Sequence, residues 1–349
     1  MLGSEMVESS TVIGHQVTLN RLSVAISKGQ NSHAYLITGP ESVGKNSVAR
    51  YLASALNCEN VSEIPCGQCA QCNRISRSVH ADCETISVDL DGYLHGDGNK
   101  RTVITIEQIR RIIRECYLKP YEGKYRVYII QQCDRMSEEA SNALLKTLEE
   151  PPEQVVLILL SSVPEKILPT LVSRAQVISL KKVNWLELEK GLIQKFNLDK
   201  KIAEELSKTC DGKPGIAVKM LEDEKYRKWR SDALDEAETL AESGPYQRFL
   251  YGGSFSKRYT KDREDSIAVL TLWQEWWRDV LISSYGINNS IINQSRIDKI
   301  SYYANQYGST NSAKNVRILT QAIAKLQKNF NPSLTIEQLM LGMPILAKK

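Results

Sequence analysis

The sequence predicts an α/β domain, a parallel sheet with helices on both faces, followed by an all-helical remainder. Three observations predict it. Apolar runs rich in Val, Ile and Tyr alternate with helical stretches up to about residue 180. A glycine-rich turn, "GPESVGK", joins one of those runs to a helix. From about residue 183 the strand signals vanish while helical spacing of apolar residues continues. Strands that alternate with helices form parallel sheets buried on both faces, because each crossover lays a helix across the sheet.

The strands read as "HAYLITG", "ETISVDL", "KYRVYIIQQ" and "EQVVLILLSS", each a short apolar run without an interior Gly or Pro. Helices fall at 45–57, 105–117 and 137–149 between them. The last begins at Ser137, a good N-cap, and carries Glu138 and Glu139 in its first turn, where carboxylates suit the dipole. Its inward stripe is Ala140, Ala143, Leu144, Thr147 and Leu148, and Pro151-Pro152 ends it. Beyond 183, short helices break at Gly212 and Pro214-Gly215, and residues 223–349 read as wholly helical. Gly252-Gly253 and the Asn/Ser-rich segments near 287–295 and 305–313 read as loops. Trp273, Trp276 and Trp277 could offer a base-stacking surface, but their i, i+3, i+4 spacing favours core or helix–helix packing.

At 349 residues the chain calls for two or three domains. With 42% hydrophobic and 25% charged residues it has an ordinary globular composition. No run approaches the ~18 apolar residues of a membrane span. The N-terminus has no basic segment followed by an apolar one, so the expected location is cytoplasmic, with no membrane partner. A net charge of +4 is too small to imply nucleic-acid binding by itself. The run Arg110, Arg111, Arg114 could face phosphate, although a solvated helix face is the simpler reading.

Gly39-x4-Gly44-Lys45 has the pattern of a phosphate-binding loop between a strand and a helix. Such a loop points backbone N–H groups and a helix N-terminus at phosphate, and its lysine adds a cation. Gly39, Gly44, Lys45 and Asn46 are therefore the candidate nucleotide-binding residues. Hydrolysis needs more: a hydroxyl after the lysine to ligate Mg²⁺, and acidic residues at the end of a later strand. Here Asn46 replaces the hydroxyl, and Gln131-Gln132 stand where the acidic pair belongs. Neutral amides bind Mg²⁺ weakly and cannot act as a base. Asp134 lies further along and reads as the start of the loop into the Ser137 helix. The scaffold for ATP or ADP is present and the hydrolytic chemistry is expected to be absent.

Four of the eight cysteines form Cys58-x7-Cys66-x2-Cys69-x2-Cys72. Four soft ligands so close suit tetrahedral Zn²⁺, and an all-cysteine set leaves no open position, which argues a structural metal. An iron–sulfur cluster or an accidental Cys-rich loop are the alternatives. Cys83, Cys116, Cys133 and Cys210 read as small buried hydrophobes.

Together with "VIGHQ", "HAYLITGP", "PTLVSRAQVISL" and "NFNPSLTIEQLML", the stretch "KYRVYIIQQCDRMSEEASNALLKTLEEPP" resembles the clamp-loader subunits of bacterial DNA polymerase III, of the AAA+ class. The likeness runs along nearly the whole chain, and "NALLKTLEEPP" and the cysteine cluster after the phosphate-loop helix are its most specific marks. The resemblance implies an AAA+ RecA-like domain over 1–182 with a zinc insertion at 58–72, a helical lid over 183–222, and a helical collar over 223–349 that joins a subunit ring. The family holds active ATPase subunits, gamma/tau, and an ATPase-deficient one, delta prime. Asn46, Gln131 and Gln132 look like delta prime. The family's sensor-2 arginine falls at Gly215, so that contact looks lost, and its sensor-1 residue falls at Ser161 or Ser162, both weak substitutes. Its Ser-Arg-Cys appears as Ser173-Arg174-Ala175, which keeps the arginine that reaches into a neighbour's ATP site. On this reading the chain hydrolyses no ATP itself. It completes the loader ring with gamma/tau and delta subunits, offers Arg174 in trans, and helps place the sliding clamp on primed DNA as part of the DNA-directed DNA polymerase holoenzyme. An active gamma/tau-type ATPase and a stand-alone AAA+ repair or helicase-loading protein are the rival readings. The local alternative for Arg174 is a surface ion pair.

Overall fold

The computed structural model describes residues 12–60, 62–88 and 103–344. The chain divides into two compact units, one of residues 1–200 with 212–215, the other of residues 201–211 with 216–349.

The first unit is built on five parallel strands: β1 (Ala34–Thr38), β2 (Cys83–Ile86), β3 (Arg126–Ile130), β4 (Val155–Ser161) and β5 (Gln176–Ser179). Their order is β2-β3-β4-β1-β5. Strand alternation sorts the core into two layers. Leu36, Tyr128, Ile130, Leu157 and Leu159 face one way, onto Ile109 and Ile112 of α4 (Ile106–Glu115) and Leu144 and Leu148 of α5 (Glu138–Glu149). Tyr35, Ile37, Val127, Ile129, Ile158 and Leu160 face the other, onto Leu19 and Leu22 of α1 (Gln16–Ser27) and Val48 and Leu52 of α2 (Lys45–Asn57). Both faces are thus dry, which is why these strands read as continuous apolar runs.

The four strands and three helices expected from the sequence are present, with ends shifted by a few residues. "ETISVDL" supplies a strand only at Cys83–Ile86, and residues 89 and 90 lie outside the described residues. Strand β5 went unrecognised because it is a four-residue edge strand, with Gln176, Val177 and Ser179 exposed, and so lacks the apolar run of a buried strand. The Ser137 hydroxyl accepts from the Ala140 N–H at 3.1 Å, the N-cap the sequence predicts.

The first unit also carries α3 (Ala70–Ser76), the one-turn α6 (Pro169–Val172) and α7 (Trp185–Phe196). The remaining helices are α8 (Lys200–Thr209), α9 (Pro214–Glu222), α10 (Glu224–Glu242), α11 (Pro245–Lys261), α12 (Arg263–Ser284), α13 (Ile297–Gln327) and α14 (Pro332–Gly342). Among the described residues no strand follows β5, and no helix is long and apolar enough to cross a membrane. Trp273, Trp276 and Trp277 are fully buried at the centre of the second unit. Trp276 and Trp277 meet edge-to-face at 4.9 Å, and Trp276 packs on Tyr303 at 5.1 Å and Trp277 on Tyr307 at 4.8 Å. The tryptophans are core, not a stacking surface for bases.

Two loop expectations fail. Gly252-Gly253 lie inside α11, and residues 305–313 lie inside α13. The second failure is partial, because α13 breaks at one residue: Gly308 has φ 64° and ψ 176°. A Cβ there would meet nothing within 4 Å, so only the backbone demands glycine. That φ/ψ region is essentially closed to other residues. Gly308→Ala should therefore cost about 1–3 kcal/mol. Urea unfolding followed by the fluorescence of the buried tryptophans would read it, and an unchanged midpoint would mean the break is not enforced by the fold.

Candidate functional site: the phosphate loop and the cysteine cluster

The loop 39–45 follows β1 at the carboxyl end of the sheet, and β1 lies between β4 and β5. In open α/β sheets this crevice at a topological switch point is where ligands bind. Gly39 and Gly44 both have positive φ, 147° and 106°, and α2 begins at Lys45 with its N–H groups facing the loop. Gly39, Gly44, Lys45 and Asn46 are brought together as the motif requires.

Around them stand residues the sequence reading undervalued. The Lys45 ammonium donates to the Gly39 carbonyl at 2.7 Å, the Pro40 carbonyl at 2.7 Å and the Ser162 hydroxyl at 2.9 Å. Burial lowers its pKa from the usual lysine value, while Glu41 and Asp134 pull it back up. Asp134 does sit in a short turn, Cys133–Arg135, ahead of α5. Its carboxylate also accepts from the Ser161 hydroxyl at 2.8 Å and the Ser162 N–H at 3.3 Å. So Asp134 ties the end of β3 to the end of β4, and Ser162 carries that tie to Lys45. His15 donates from Nε2 to the Val43 carbonyl at 2.9 Å, and the Gly215 N–H donates to the Ser42 carbonyl at 2.8 Å. No sequence rule singles out contacts made 28 or more residues apart by His15 and Ser162; the fold alone creates them.

The positions at which the sequence reading looks for magnesium ligands carry amides. Asn46, the second residue of α2, has a buried side-chain Oδ1 with no hydrogen-bond partner. Gln131 follows β3 directly, its N–H bonded to the Ile86 carbonyl at 2.8 Å, and Gln132 takes a left-handed φ of 51°. None of these groups is a carboxylate.

Arg174 lies between α6 and β5, at the edge of the sheet. Its guanidinium bonds the Glu149 carboxylate at 2.7 Å and the Thr170 carbonyl at 2.9 Å, with about a third of the side chain exposed. Of the arginine run, Arg110 and Arg114 are exposed, whereas Arg111 pairs with Glu84 and Glu115.

The cysteine cluster sits where α2 ends and α3 begins. Cys58 caps the end of α2, and Cys69 caps the start of α3, its sulfur accepting from the Cys72 N–H. The sulfurs of Cys58, Cys66, Cys69 and Cys72 all lie within 4.8 Å of one another. Four thiolates at ~2.3 Å from one zinc ion stand about 3.8 Å apart, so the set fits with little movement. Cys58, Cys66 and Cys69 each accept a backbone N–H at 3.4 Å. The four can hold a tetrahedral ion such as Zn²⁺ with no position left for substrate. The other cysteines are different in kind. Cys116, Cys133 and Cys210 are buried and Cys83 partly so, and burial pushes the Cys83 and Cys116 thiols up to about 12.

Residues 14–184 match the family described as DNA polymerase III, delta subunit. DNA polymerase III subunit gamma of Buchnera aphidicola is 35% identical over 178 residues, 49% of this chain and 46% of that protein. The tau subunit of Escherichia coli is 37% identical over 171 residues, 49% of this chain and 25% of that protein. Over residues 14–184 the chain is similar to the DNA polymerase III clamp-loader family. A solved gamma-subunit-related protein of Thermotoga maritima aligns over 92% of this chain and 97% of its own at 20% identity, with a TM-score of 0.40. The span that carries the clamp-loader family likeness, 14–184, contains the phosphate loop, the four cysteines, Asp134 and Arg174, and stops before Gly215.

Proposed function

We propose that this chain is a delta prime-like clamp-loader subunit: it completes the loader ring and serves a neighbour's ATP site rather than turning over ATP at its own. One observation carries the reading. The phosphate loop keeps its strand, glycines, lysine and helix, while Asn46, Gln131 and Gln132 leave no carboxylate or hydroxyl at the magnesium positions. Arg174 then has a role that the chain's own loop cannot use, since its fork of donors can stabilise charge on a phosphate across a subunit boundary. The three-part division at 182 and 222, the structural zinc on Cys58, Cys66, Cys69 and Cys72, the gamma/tau and delta partners, the sliding clamp with primed DNA, and a cytoplasmic location belong to the same proposal.

The names of the relatives, gamma and tau, favour a second reading, an active ATPase. It needs a carboxylate free to act as base or metal ligand. Asp134 is the candidate, and its Oδ1 accepts from the Ser161 hydroxyl and the Ser162 N–H.

Turnover by the isolated chain separates the two. No magnesium-dependent ATP hydrolysis above background is expected. Restoring Asn46→Thr with Gln131→Asp and Gln132→Glu should recover Mg²⁺ binding. ATPase activity that purifies with the wild-type chain and disappears in Lys45→Ala would overturn the delta prime reading in favour of the gamma type.

A further inference from the structure

We infer that the phosphate loop of this chain is braced from within, with Lys45 acting as a structural tie rather than as a ligand for phosphate. A lysine ammonium has three protons to donate. Those of Lys45 go to the Gly39 carbonyl, the Pro40 carbonyl and the Ser162 hydroxyl, at 2.7, 2.7 and 2.9 Å. No donor is left over for an outer phosphate. The hydroxyl end of that tie is itself anchored, because Asp134 holds the Ser162 N–H and the adjacent Ser161 hydroxyl.

The rest of the loop is fixed from two further sides. Ser42 is a non-glycine residue in the left-handed region, φ 60°, and its carbonyl accepts the Gly215 N–H at 2.8 Å. A Cβ at 215 would stand 3.0 Å from that carbonyl oxygen and 3.2 Å from the Ser42 Cα. Any larger residue at 215 would push the Ser42 backbone back by a few tenths of an ångström. His15 holds the Val43 carbonyl. The carbonyls of Gly39, Pro40, Ser42 and Val43 are thus all taken by donors of the same unit. A nucleotide entering the loop would have to break the Lys45 bonds before gaining its own, and the missing magnesium ligands reduce what it gains.

The inference rests on the non-hydrolytic reading of the loop and deepens it: the loop is a brace in the fold. Calorimetric melting of the full chain tests it, with ATP, ADP and pyrophosphate as probes, with and without magnesium. None should raise the melting temperature of the first unit by more than about 1 °C, since ligand-induced stabilisation follows binding alone. Lys45→Met should lower that temperature by about 3–10 °C with no nucleotide present, as a partly buried charge-assisted set of bonds is lost. Ser162→Ala, which removes one of the three acceptors, should give a smaller drop and serves if Lys45→Met fails to fold. A dose-dependent rise with ATP or ADP that Lys45→Met abolishes, or a Lys45→Met chain that melts like wild type, would overturn the inference. Binding without turnover would leave the non-hydrolytic reading standing, whereas turnover would remove both.

Discussion

Arg174→Ala should slow hydrolysis at one ATP site of a reconstituted loader by roughly 10³–10⁵-fold, or about 4–7 kcal/mol of barrier, the usual effect of an arginine finger. The same change should be nearly silent in the isolated chain. Arg174 is bound there to Glu149, whose side chain is 52% exposed, and exposed pairs contribute about 0–1 kcal/mol. That comparison also answers how a paired arginine can serve a neighbour. Releasing Glu149 costs at most about 1 kcal/mol, several-fold less than the barrier reduction on offer. Glu149→Gln should accordingly leave loader activity close to wild type. Arg174→Lys should behave much more like Arg174→Ala, because an ammonium cannot reproduce the bidentate fork. Zinc content and assembly should be unaffected in all three. Total ATPase should fall less than clamp loading, since Arg174 can serve only one site of the proposed loader. Wild-type turnover and clamp loading in the Arg174→Ala complex would reduce Arg174 to the surface ion pair seen with Glu149.

What the sequence disclosed and what it hid follow from the range of the interactions. Strands β1, β3 and β4 are buried on both faces, so hydrophobicity alone marks them. The Ser137 cap and the dry face of α5 are set within one turn and were equally plain. Edge strand β5 has no such pattern. Gly252-Gly253 carries a turn signal, yet Gly252 is buried in α11 facing Met340 of α14, and packing decided the conformation. The candidate site divides in the same way. The cysteine cluster and the loop glycines are local motifs and come together as their spacing implies. The ties from Ser162 and Asp134 to Lys45, and from Gly215 to Ser42, join segments far apart in the chain. Ser162 and Gly215 were noticed only through family likeness and Asp134 only as a loop start, because serine, aspartate and glycine have too many ordinary uses for a sequence to mark these ties. Arg174 was legible only through family likeness, since its own contacts are those of any surface arginine.

Loss of one cysteine should empty the metal site. Fresh chelator-free protein should contain about one zinc per chain, and Cys69→Ser close to none after dialysis, as a closed tetrahedral site loses one of its four thiolates. Structural zinc in small peptides contributes an apparent ~10–16 kcal/mol at neutral pH, enough to decide whether the segment folds at all. Here the segment has other support. Cys58 and Cys72 are anchored by α2 and α3, the Asn57 side chain accepts the Tyr125 N–H at 2.8 Å, and Lys124 reaches the Cys58 carbonyl. Nearby, buried Asp82 accepts the N–H groups of Tyr121, Glu122 and Gly123 at 2.7–2.8 Å, which fixes the loop those contacts come from. None of the four cluster cysteines belongs to the two sheet-facing cores, which should survive. The expected result is therefore local: protease cleavage appearing between residues 58 and 72, a lower melting temperature for the first unit, and no change in the helical unit. Absence of zinc from the wild-type protein would end the metal assignment. Collapse of the helical unit along with the first would show that the insertion is no local element but a support for the whole chain.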